Sequence, residues 1–287
     1  MSRRIIITGE HGYIACRLAD VLRAKHPDWI VEQISVRDDG WKRIDMHGAD
    51  AIVHTAGIVH QREGTVSREE YERVNVRLTA QLAAKAAKEG AGQFVFLSSM
   101  SVYGMERGRI GAGTRPLPTS LYGRSKLAAE RCLKRIGDQS GMSVAVVRPP
   151  MVYGPGCPGN YARLSALAKR LPVYPKTENV RSMIYIGNLC DCIRQILILR
   201  LSGTFLPQDP GYINPSRMVK EIAACHGKRC ILVPGMNGLL GVLAGHFGVF
   251  ARLFGTLIYD KKSSVIPEAP YQNVSVREAI RLTEQGV

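Results

Sequence analysis

The stretch "SLYGRSKLAAE", residues 120–130, places a tyrosine and a lysine where they could move a proton together. Tyr122 and Lys126 stand four residues apart at the start of a predicted helix, so both side chains lie on one face. A tyrosine with its ordinary pKa of about 10 is a poor base at neutral pH. A lysine ammonium group one turn away would favour the phenolate and lower that pKa. A plain surface helix has the same spacing, so the pair needs partners elsewhere in the chain.

A serine-rich segment, "FVFLSSMSVYG", precedes this pair and runs from an apolar strand into polar residues. In open α/β sheets, ligands bind at the carboxyl ends of the strands. A serine hydroxyl at that edge can bind the substrate oxygen whose proton is moved, although serines there also form ordinary turns. A serine strand followed by Tyr-x-x-x-Lys favours catalysis over a surface helix.

A glycine turn near the start of the chain predicts a nucleotide site. In "ITGEHGYIA", Gly9, Gly12 and Ala15 have the spacing G-x-x-G-x-x-A, after a strand and before an amphipathic helix. Glycines let backbone N–H groups approach a pyrophosphate, and the helix N-terminus adds partial positive charge. The pattern alone also fits a plain strand-to-helix turn.

The end of the second predicted strand bears on the choice of cofactor. An acidic residue there favours NAD, whereas an arginine can pair with the 2′-phosphate of NADP. This strand ends "ISVRDD", with Arg37 followed by Asp38 and Asp39. A solvated charged turn would also have this composition. The strand end is therefore ambiguous between the two cofactors; our expected cofactor is NAD, with NADP possible.

Strand-like runs alternate with helical patterns through the first two thirds of the chain. This alternation predicts an α/β fold: a Rossmann-type doubly wound parallel sheet with a smaller C-terminal substrate-binding region. The second connection is short, so its crossover helix should be absent or reduced to a turn around Trp41. The predicted strands are "RIIIT", "WIVEQISV", "AIVHTA", "QFVFLSS" and "SVAVVRP".

The division into two regions follows a change in composition after Pro149, where proline and glycine become frequent. We assign residues 1–150 to the dinucleotide-binding core, with residues 183–206 returning to it. Residues 151–182 and 207–287 are assigned to the substrate-binding region.

Composition limits the class of protein. The chain has 287 residues, 45% of them hydrophobic, which suits a folded α/β protein. Its formal net charge of +15 suits an anionic ligand, but the basic residues are spread along the chain, so we expect no nucleic-acid partner. The seven cysteines contain no C-x-x-C, and the short apolar run in "RRIIITG" is not expected to belong to a signal peptide. We therefore expect a reducing, cytoplasmic location.

The longest apolar tract runs from Leu239 to Tyr259 and is about long enough to cross a bilayer. Because it carries His246, Arg252 and several glycines, we predict an amphipathic helix of the fold rather than membrane contact. His54 and His60 have no third ligand at metal spacing, so no metal site is expected.

Taken together, these segments resemble the extended short-chain dehydrogenase/reductase family, and more closely its nucleotide-sugar epimerase, dehydratase and reductase branch. The resemblance covers essentially the whole chain and implies a homodimer with a nucleotide-sugar substrate. It rests on "TGEHGYIA", "DAIVHTAG", "VNVRLT", "FLSSMSVYG", "YGRSK", "RPPMVYGPG" and "RSMIYIGNL", each in family order.

The resemblance implies three catalytic roles. Ser99, rather than Ser98 or Ser101, takes the position of the catalytic serine. Tyr122 is then the proton donor and acceptor, and Lys126 holds the nicotinamide ribose while lowering the tyrosine pKa.

Binding roles follow from the same resemblance. Ser99 and Tyr122 contact the substrate, and Arg181 and Asn160 are expected to reach its diphosphate. Two positions depart from the family pattern, since Met151 replaces a frequent asparagine and Gly187 a common aspartate. The implied cofactor-binding set, in which Asp45 and Met46 flank the adenine, is Gly9, His11, Gly12, Tyr13, Ile14, Ala15, Arg37, Asp45, Met46, Thr55, Ala56, Gly57, Asn75, Leu97, Tyr122, Lys126 and Pro149.

The implied function is that of an NAD(P)-dependent nucleotide-sugar 4-epimerase, which oxidises and re-reduces C4 of a UDP-hexose or UDP-N-acetylhexosamine. The alternative enzyme is an NAD(P)H-dependent 4-keto-sugar nucleotide reductase, which performs half of that cycle. A dehydratase is disfavoured because Met100 and Ser101 stand where dehydratases usually carry an acid pair. The non-enzyme alternative is a dinucleotide-sensing or RNA-binding protein, and a polysaccharide pathway is implied by resemblance alone.

Overall fold

Strands form the centre of this computed structural model, which describes residues 2–59, 65–235, 255–267 and 269–286. The strands in the described ranges are β1 (Arg4–Thr8), β2 (Ile30–Ile34), β3 (Ala51–His54), β4 (Gln93–Leu97), β5 (Gly108–Ile110), β6 (Ser143–Val147), β7 (Met151–Tyr153), β8 (Val173–Pro175), β9 (Met183–Tyr185), β10 (Gly203–Phe205), β11 (Ile231–Val233) and β12 (Leu257–Tyr259).

Helices cover both faces of these strands. A π-helical segment, Glu72–Arg77, joins α2 to α3, and short 3₁₀ turns lie at Asp39–Arg43, Met100–Tyr103 and Lys261–Ser264. The α-helices in the described ranges are α1 (Tyr13–Lys25), α2 (Arg68–Tyr71), α3 (Leu78–Lys88), α4 (Leu121–Ser140), α5 (Asn160–Ala168), α6 (Ile186–Ile198), α7 (Pro215–Cys225) and α8 (Val276–Gln285).

Six parallel strands make the main sheet, in the order β10-β6-β4-β3-β1-β2. The five strand runs predicted from the sequence all lie in it. β1 pairs with β2 on one side and with β3 on the other, so the strand order reverses at β1. Ligands of such sheets bind in the crevice at this reversal. The arrangement confirms the predicted α/β fold with a Rossmann-type doubly wound sheet.

Burial on both faces explains why the central strands are continuous apolar runs. Along β1, Ile5 and Ile7 belong to the core under α1 and α6, whereas Ile6 belongs to the core under α3 and α4. Leu18 of α1 and Leu82 of α3 are fully buried in these two cores. The sheet is therefore the middle layer of three.

The second connection is reduced to a turn, as predicted. The chain leaves β2 and makes only the 3₁₀ turn Asp39–Arg43 before it reaches β3. The carboxylate of Asp38 accepts the backbone N–H of Gly40 at 2.8 Å and so begins that turn. Trp41, 3% exposed, anchors the turn in the core.

Outside the main sheet, three two-stranded parallel sheets pair β7 with β9, β8 with β11, and β5 with β12. Within residues 183–206, α6 packs against α1 and β10 extends the main sheet beside β6. The assignment of residues 151–182 and 207–287 to substrate binding remains a prediction.

Two predictions concern residues outside the described ranges. The predicted amphipathic helix over the apolar tract falls on residues 239–254, and the end of that tract, Leu257–Tyr259, is strand β12 rather than helix. His60 likewise lies outside them. Among the helices that the structure describes, none combines the length and apolar character needed to span a bilayer.

Candidate active site

A cleft of about 900 Å³ opens at the carboxyl edge of the main sheet, beside the point where the strand order reverses. The glycine turn after β1, the residues that follow β2, β3 and β4, and one face of α4 line it. Most of the predicted cofactor set lies there: Gly9, His11, Gly12, Tyr13, Ile14, Arg37, Thr55, Ala56, Gly57, Leu97, Tyr122, Lys126 and Pro149.

The glycine turn is shaped to admit a ligand close to the backbone. Gly9 has φ +93°, and a Cβ there would lie 3.1 Å from Thr55 Oγ1. Gly12 donates its N–H to Gly9 O at 2.6 Å, and no side chain caps the helix that begins at Tyr13. The N–H groups of the first helical turn, which contains no acidic residue, therefore remain available to an anion. These residues fit the pyrophosphate of a dinucleotide.

Two members of the predicted cofactor set lie directly behind the lining. Ala15 is fully buried beneath the glycine turn. Asn75, 1% exposed in the π-helical segment, accepts the N–H of Ile58 at 2.8 Å and donates to Ser125 Oγ at 3.0 Å. A Cβ on Gly57 would lie 2.8 Å from Oδ1 of the Asn75 side chain, so the close approach of this side chain requires a glycine. Asn75 thus fixes the backbone that follows β3.

The prediction that Asp45 and Met46 flank the adenine requires correction. Met46 is fully buried in the core with Ile6, and Asp45 is exposed. The guanidinium group of Arg4 donates to Asp45 O at 2.9 Å, and Arg4 begins β1 at the amino edge of the sheet. Because the short second connection turns the chain back toward the start of β3, both residues lie at the edge opposite the cleft.

Charged residues from two elements line the cleft instead, and we call the part beside the end of β2 its adenosine end, because sheets of this type read the adenosine ribose there. Arg37 follows β2, and Arg77 projects from the π-helical segment. Neither guanidinium group has a hydrogen bond or ion pair to any other residue that the structure describes. The nearby carboxylates are already engaged, since Asp38 caps the 3₁₀ turn and Asp39 pairs with Lys42 at 2.8 Å. Sequence reasoning did not identify Arg77 as a residue of the cleft. Its position two residues after Asn75 in "VNVRLT" could have indicated it.

The three predicted catalytic residues converge at this edge. Ser99 begins the 3₁₀ turn after β4, and its hydroxyl hydrogen-bonds the phenol of Tyr122. Lys126 donates its Nζ to Leu97 O at 2.9 Å and lies 4.7 Å from the centroid of the Phe96 ring. The neighbouring Ser98 points its hydroxyl elsewhere, to Glu130 at 2.5 Å, which leaves Ser99 as the serine aimed at Tyr122.

Burial dominates the proton affinities of the pair. It raises the pKa of Tyr122 to about 12, and the hydrogen bond from Ser99 opposes this effect. It also lowers the pKa of Lys126 to about 8. Burial therefore raises the pKa of Tyr122 overall, and the predicted lowering of that pKa by Lys126 remains a prediction. The lysine directs its ammonium group to Leu97 O, and desolvation of the phenolate outweighs the effect of its hydrogen bond.

Two of the four predicted substrate residues, Asn160 and Arg181, lie outside the described lining of the cleft. Asn160 is the first residue of α5, shortly after Cys157 and Pro158, which do line it. Arg181 donates its guanidinium N–H to Gly255 O at 2.7 Å. A diphosphate role for either residue remains a prediction.

The positions that depart from the family pattern are placed by secondary structure. Met151 begins β7 and pairs with Met183 of β9, and it packs half-buried against the core. Gly187 lies in the first turn of α6, where the buried carboxylate of Asp209 accepts the N–H of Tyr185 at 2.9 Å. A carboxylate from a distant segment thus stabilises this helix N-terminus.

The chain is similar in sequence to a known enzyme family and to individual proteins. Residues 5–200 match the model of the NAD dependent epimerase/dehydratase family. The chain is 30% identical over 291 residues to the UDP-glucose 4-epimerase of Vibrio cholerae, covering 91% of this chain and 88% of that protein. It is 26% identical over 276 residues to the N-acetyl-alpha-D-glucosaminyl-diphospho-ditrans,octacis-undecaprenol 4-epimerase of Escherichia coli O157:H7, covering 89% and 82%.

Solved structures share the fold. The structure of UDP-glucuronic acid 4-epimerase from Bacillus cereus in complex with NAD superposes with a TM-score of 0.77 at 18% identity. The match covers 99% of this chain and 98% of that one.

Proposed function

The chain belongs to the NAD dependent epimerase/dehydratase family, and on that premise we propose that it is a nucleotide-sugar 4-epimerase acting on a UDP-hexose or UDP-N-acetylhexosamine. The observation that carries the proposal is the convergence of Ser99, Tyr122 and Lys126 at the edge of a cleft whose glycine turn fits a pyrophosphate. Similarity to a UDP-glucose 4-epimerase supports the reaction and the sugar class.

Each catalytic side chain has a separate task. Tyr122, as the phenolate, takes the proton of the C4 hydroxyl and returns it, and Ser99 holds the C4 oxygen beside it. Because burial raises the pKa of Tyr122 to about 12, forming the phenolate requires the nearby positive charge of Lys126. Lys126, which lines the cleft, would hold the nicotinamide ribose. A bound nicotinamide would supply the acceptor, and then the donor, of the C4 hydride. The 4-keto sugar must turn over between the two transfers for the configuration at C4 to invert.

The cofactor would be held through its pyrophosphate by the N–H groups after Gly12, and NAD is the cofactor named for the family. NADP remains the alternative. Arg37 and Arg77 line the adenosine end, and both nearby carboxylates are occupied within the chain. That arrangement suits a 2′-phosphate better than two bare ribose hydroxyls.

The second candidate function is an NAD(P)H-dependent 4-keto-sugar nucleotide reductase. The same two arginines favour it, because a reductase must exchange its cofactor at every turnover and NADPH is a common source of reducing equivalents. Ser99, Tyr122 and Lys126 would perform the reducing half of the cycle only.

Product analysis separates these functions. Purified protein is incubated with UDP-glucose, UDP-N-acetylglucosamine and their 4-keto-6-deoxy derivatives, and the products are identified by NMR. Interconversion with the galacto isomer without added reductant is expected for the epimerase. Consumption of NADPH with only a keto sugar as substrate would replace that assignment with the reductase.

Two further arms test the carrier of the sugar and the non-enzyme alternative. The similarity to the undecaprenol-linked 4-epimerase motivates an assay with a polyprenyl diphosphate-linked N-acetylglucosamine. Turnover of that compound alone would change the proposed substrate class. Salt-sensitive RNA binding without turnover of any sugar would favour the nucleic-acid alternative.

The setting of the enzyme is proposed from resemblance alone. We propose that the protein is a homodimer, that it is cytoplasmic and that it acts in polysaccharide synthesis. Light scattering at several protein concentrations measures the first, and a monomer at all of them would contradict it.

A further inference from the structure

The face of α4 that carries the catalytic pair continues to a third buried polar residue. Tyr122, Lys126 and Glu130 follow one another at intervals of four residues and are 9%, 4% and 7% exposed. Residues at this spacing lie above one another on a helix. α4 therefore presents a phenol, an ammonium group and a carboxylate to the interior in a row.

The Glu130 carboxylate accepts three hydrogen bonds from the ends of two sheet strands. Ser98, directly after β4, donates at 2.5 Å. Arg148, directly after β6, donates through Nε at 3.0 Å and through a terminal nitrogen at 2.5 Å. Such a bidentate pair fixes orientation as well as distance. Arg148 also donates to Tyr103 Oη at 2.8 Å, so every partner of this carboxylate is itself held by the sheet or its adjoining turn.

We propose that Glu130 is a positioning residue, which holds the catalytic face of α4 against the ends of β4 and β6 and supplies the negative charge that keeps Lys126 protonated. The consequence for turnover rests on the proposed function. The effect on Lys126 does not, because it is a property of the chain without any ligand.

The surroundings of Lys126 explain why such a charge is needed. Burial lowers the pKa of Lys126 to about 8, and the charge of Glu130 opposes this shift. The titratable groups that face the lysine are Tyr122 on its own helix and His54 on β3, while Arg148 lies beyond Glu130. Burial lowers the pKa of His54 to about 3, so His54 is neutral near neutral pH. Glu130 is therefore the anionic neighbour of Lys126 among the residues described.

The test removes this charge without leaving another charge unpaired. Glu130→Gln alone would strand the Arg148 guanidinium in the interior, whereas Glu130→Gln with Arg148→Met replaces the whole ion pair by neutral groups of similar size. Lysines are labelled with ¹³C at Cε, and the Lys126 signal is assigned by its absence in Lys126→Met. The titration midpoint is then read from the chemical shift in protein without added ligand.

We expect the Lys126 midpoint near pH 8 in the wild-type protein and about one pH unit lower in the double variant. The conservative Glu130→Asp keeps the charge and should leave the midpoint close to the wild-type value. An unchanged midpoint in the folded double variant would overturn the proposal. Unfolding of both the double variant and Glu130→Asp, seen by circular dichroism, would also overturn it, since the pair would then serve the fold as a whole.

Asp191→Asn is the matched control. Asp191 is another largely buried carboxylate between two basic groups, 3.0 Å from Lys25 and 3.1 Å from Arg194, and lies between α1 and α6 away from the cleft. Its loss should lower thermal stability without moving the Lys126 midpoint.

A kinetic readout connects the proposal to catalysis. If the wild-type protein converts a UDP-sugar, the alkaline limb of its kcat/KM profile should move to lower pH in the double variant, because Lys126 then loses its proton earlier. A shifted Lys126 midpoint with no UDP-sugar turnover by the wild-type protein would contradict the proposed function and leave the role of Glu130 standing.

Discussion

The two sides of the cleft are built differently. On the predicted cofactor side, the lining includes residues at the ends of β1, β3 and β4, whose positions the parallel sheet fixes. On the C-terminal side, the predicted contacts come from Asn160 and Arg181, which lie on short elements outside the described lining. Because a parallel sheet fixes the positions of its strand ends, a motif at a strand end can be placed in the fold from sequence. A motif in a loop-rich region cannot. Substitutions should therefore have larger effects on the first side than on the second.

The largest effect is expected for Tyr122→Phe, which removes the proton carrier but keeps the ring. Turnover should fall by about 10²–10⁴-fold with little change in stability, because acid–base catalysis contributes on that scale. The rate is measured by NMR on the substrate identified above. Tyr212→Phe is the matched control, since its hydroxyl bonds Tyr259 O and it lies outside the described lining of the cleft, and it should keep wild-type turnover. Full activity of Tyr122→Phe would contradict the role of Tyr122 as proton carrier, and with it the larger effect expected on the first side of the cleft.

The next effect concerns the adenosine end. Arg37→Ala should weaken binding of NADP about tenfold or more while changing NAD binding little, because a charge-assisted bond to phosphate is worth about 1.5–3 kcal/mol. Isothermal titration calorimetry with both cofactors measures this directly. Arg23→Ala, an exposed arginine near the far end of α1, serves as control. Equal losses for both cofactors would show that Arg37 does not discriminate between them.

A smaller loss is expected for Gly9→Ala. The left-handed backbone costs an alanine about 1–2 kcal/mol, and the new Cβ presses on Thr55 Oγ1 at 3.1 Å. Cofactor affinity should fall about tenfold if the turn adjusts to relieve that contact. Gly48→Ala has the same backbone penalty, with φ +70° and nothing within 4 Å, and lies away from the cleft. It should lose stability but keep cofactor affinity, and an equal affinity loss would mean that strain alone explains both variants.

The smallest effect is expected on the C-terminal side. Arg181→Ala should raise KM for the UDP-sugar about threefold and leave kcat unchanged, because its guanidinium group already donates to Gly255 O and can give the diphosphate only part of its hydrogen-bonding capacity. Steady-state kinetics measures both constants, with Arg217→Ala on the exposed face of α7 as control. An increase of KM of about tenfold, equal to the loss of cofactor affinity expected for Gly9→Ala, would contradict the proposed difference between the two sides.

The sequence predicts some parts of this molecule better than others. Alternating apolar runs predict the central strands, because buried parallel strands and amphipathic helices have clear patterns. The positions of Ser99 and Tyr122 follow from strand and helix ends. Asp45 and Met46 could not be placed correctly, because family spacing assumes a longer second connection than the 3₁₀ turn Asp39–Arg43 provides.

Electrostatics was the other limit of sequence reasoning. Spacing shows that Lys126 can neighbour Tyr122, but it does not show that both groups are buried, and burial raises the pKa of the tyrosine. Glu130 shows the same limit, since its partners Ser98 and Arg148 come from distant segments that only the fold brings together.

The most direct test of the central claim is the fate of hydrogen at C4 during turnover. UDP-glucose carrying deuterium at C4 is converted in ordinary water, and the product is examined by NMR together with the rate. Slower turnover than with unlabelled substrate, and retention of the deuterium at C4 of the galacto product, are predicted for transfer within the cleft. Loss of the label to water, or unchanged turnover with the label elsewhere, would contradict the assignment of Tyr122 and its neighbours to chemistry at C4.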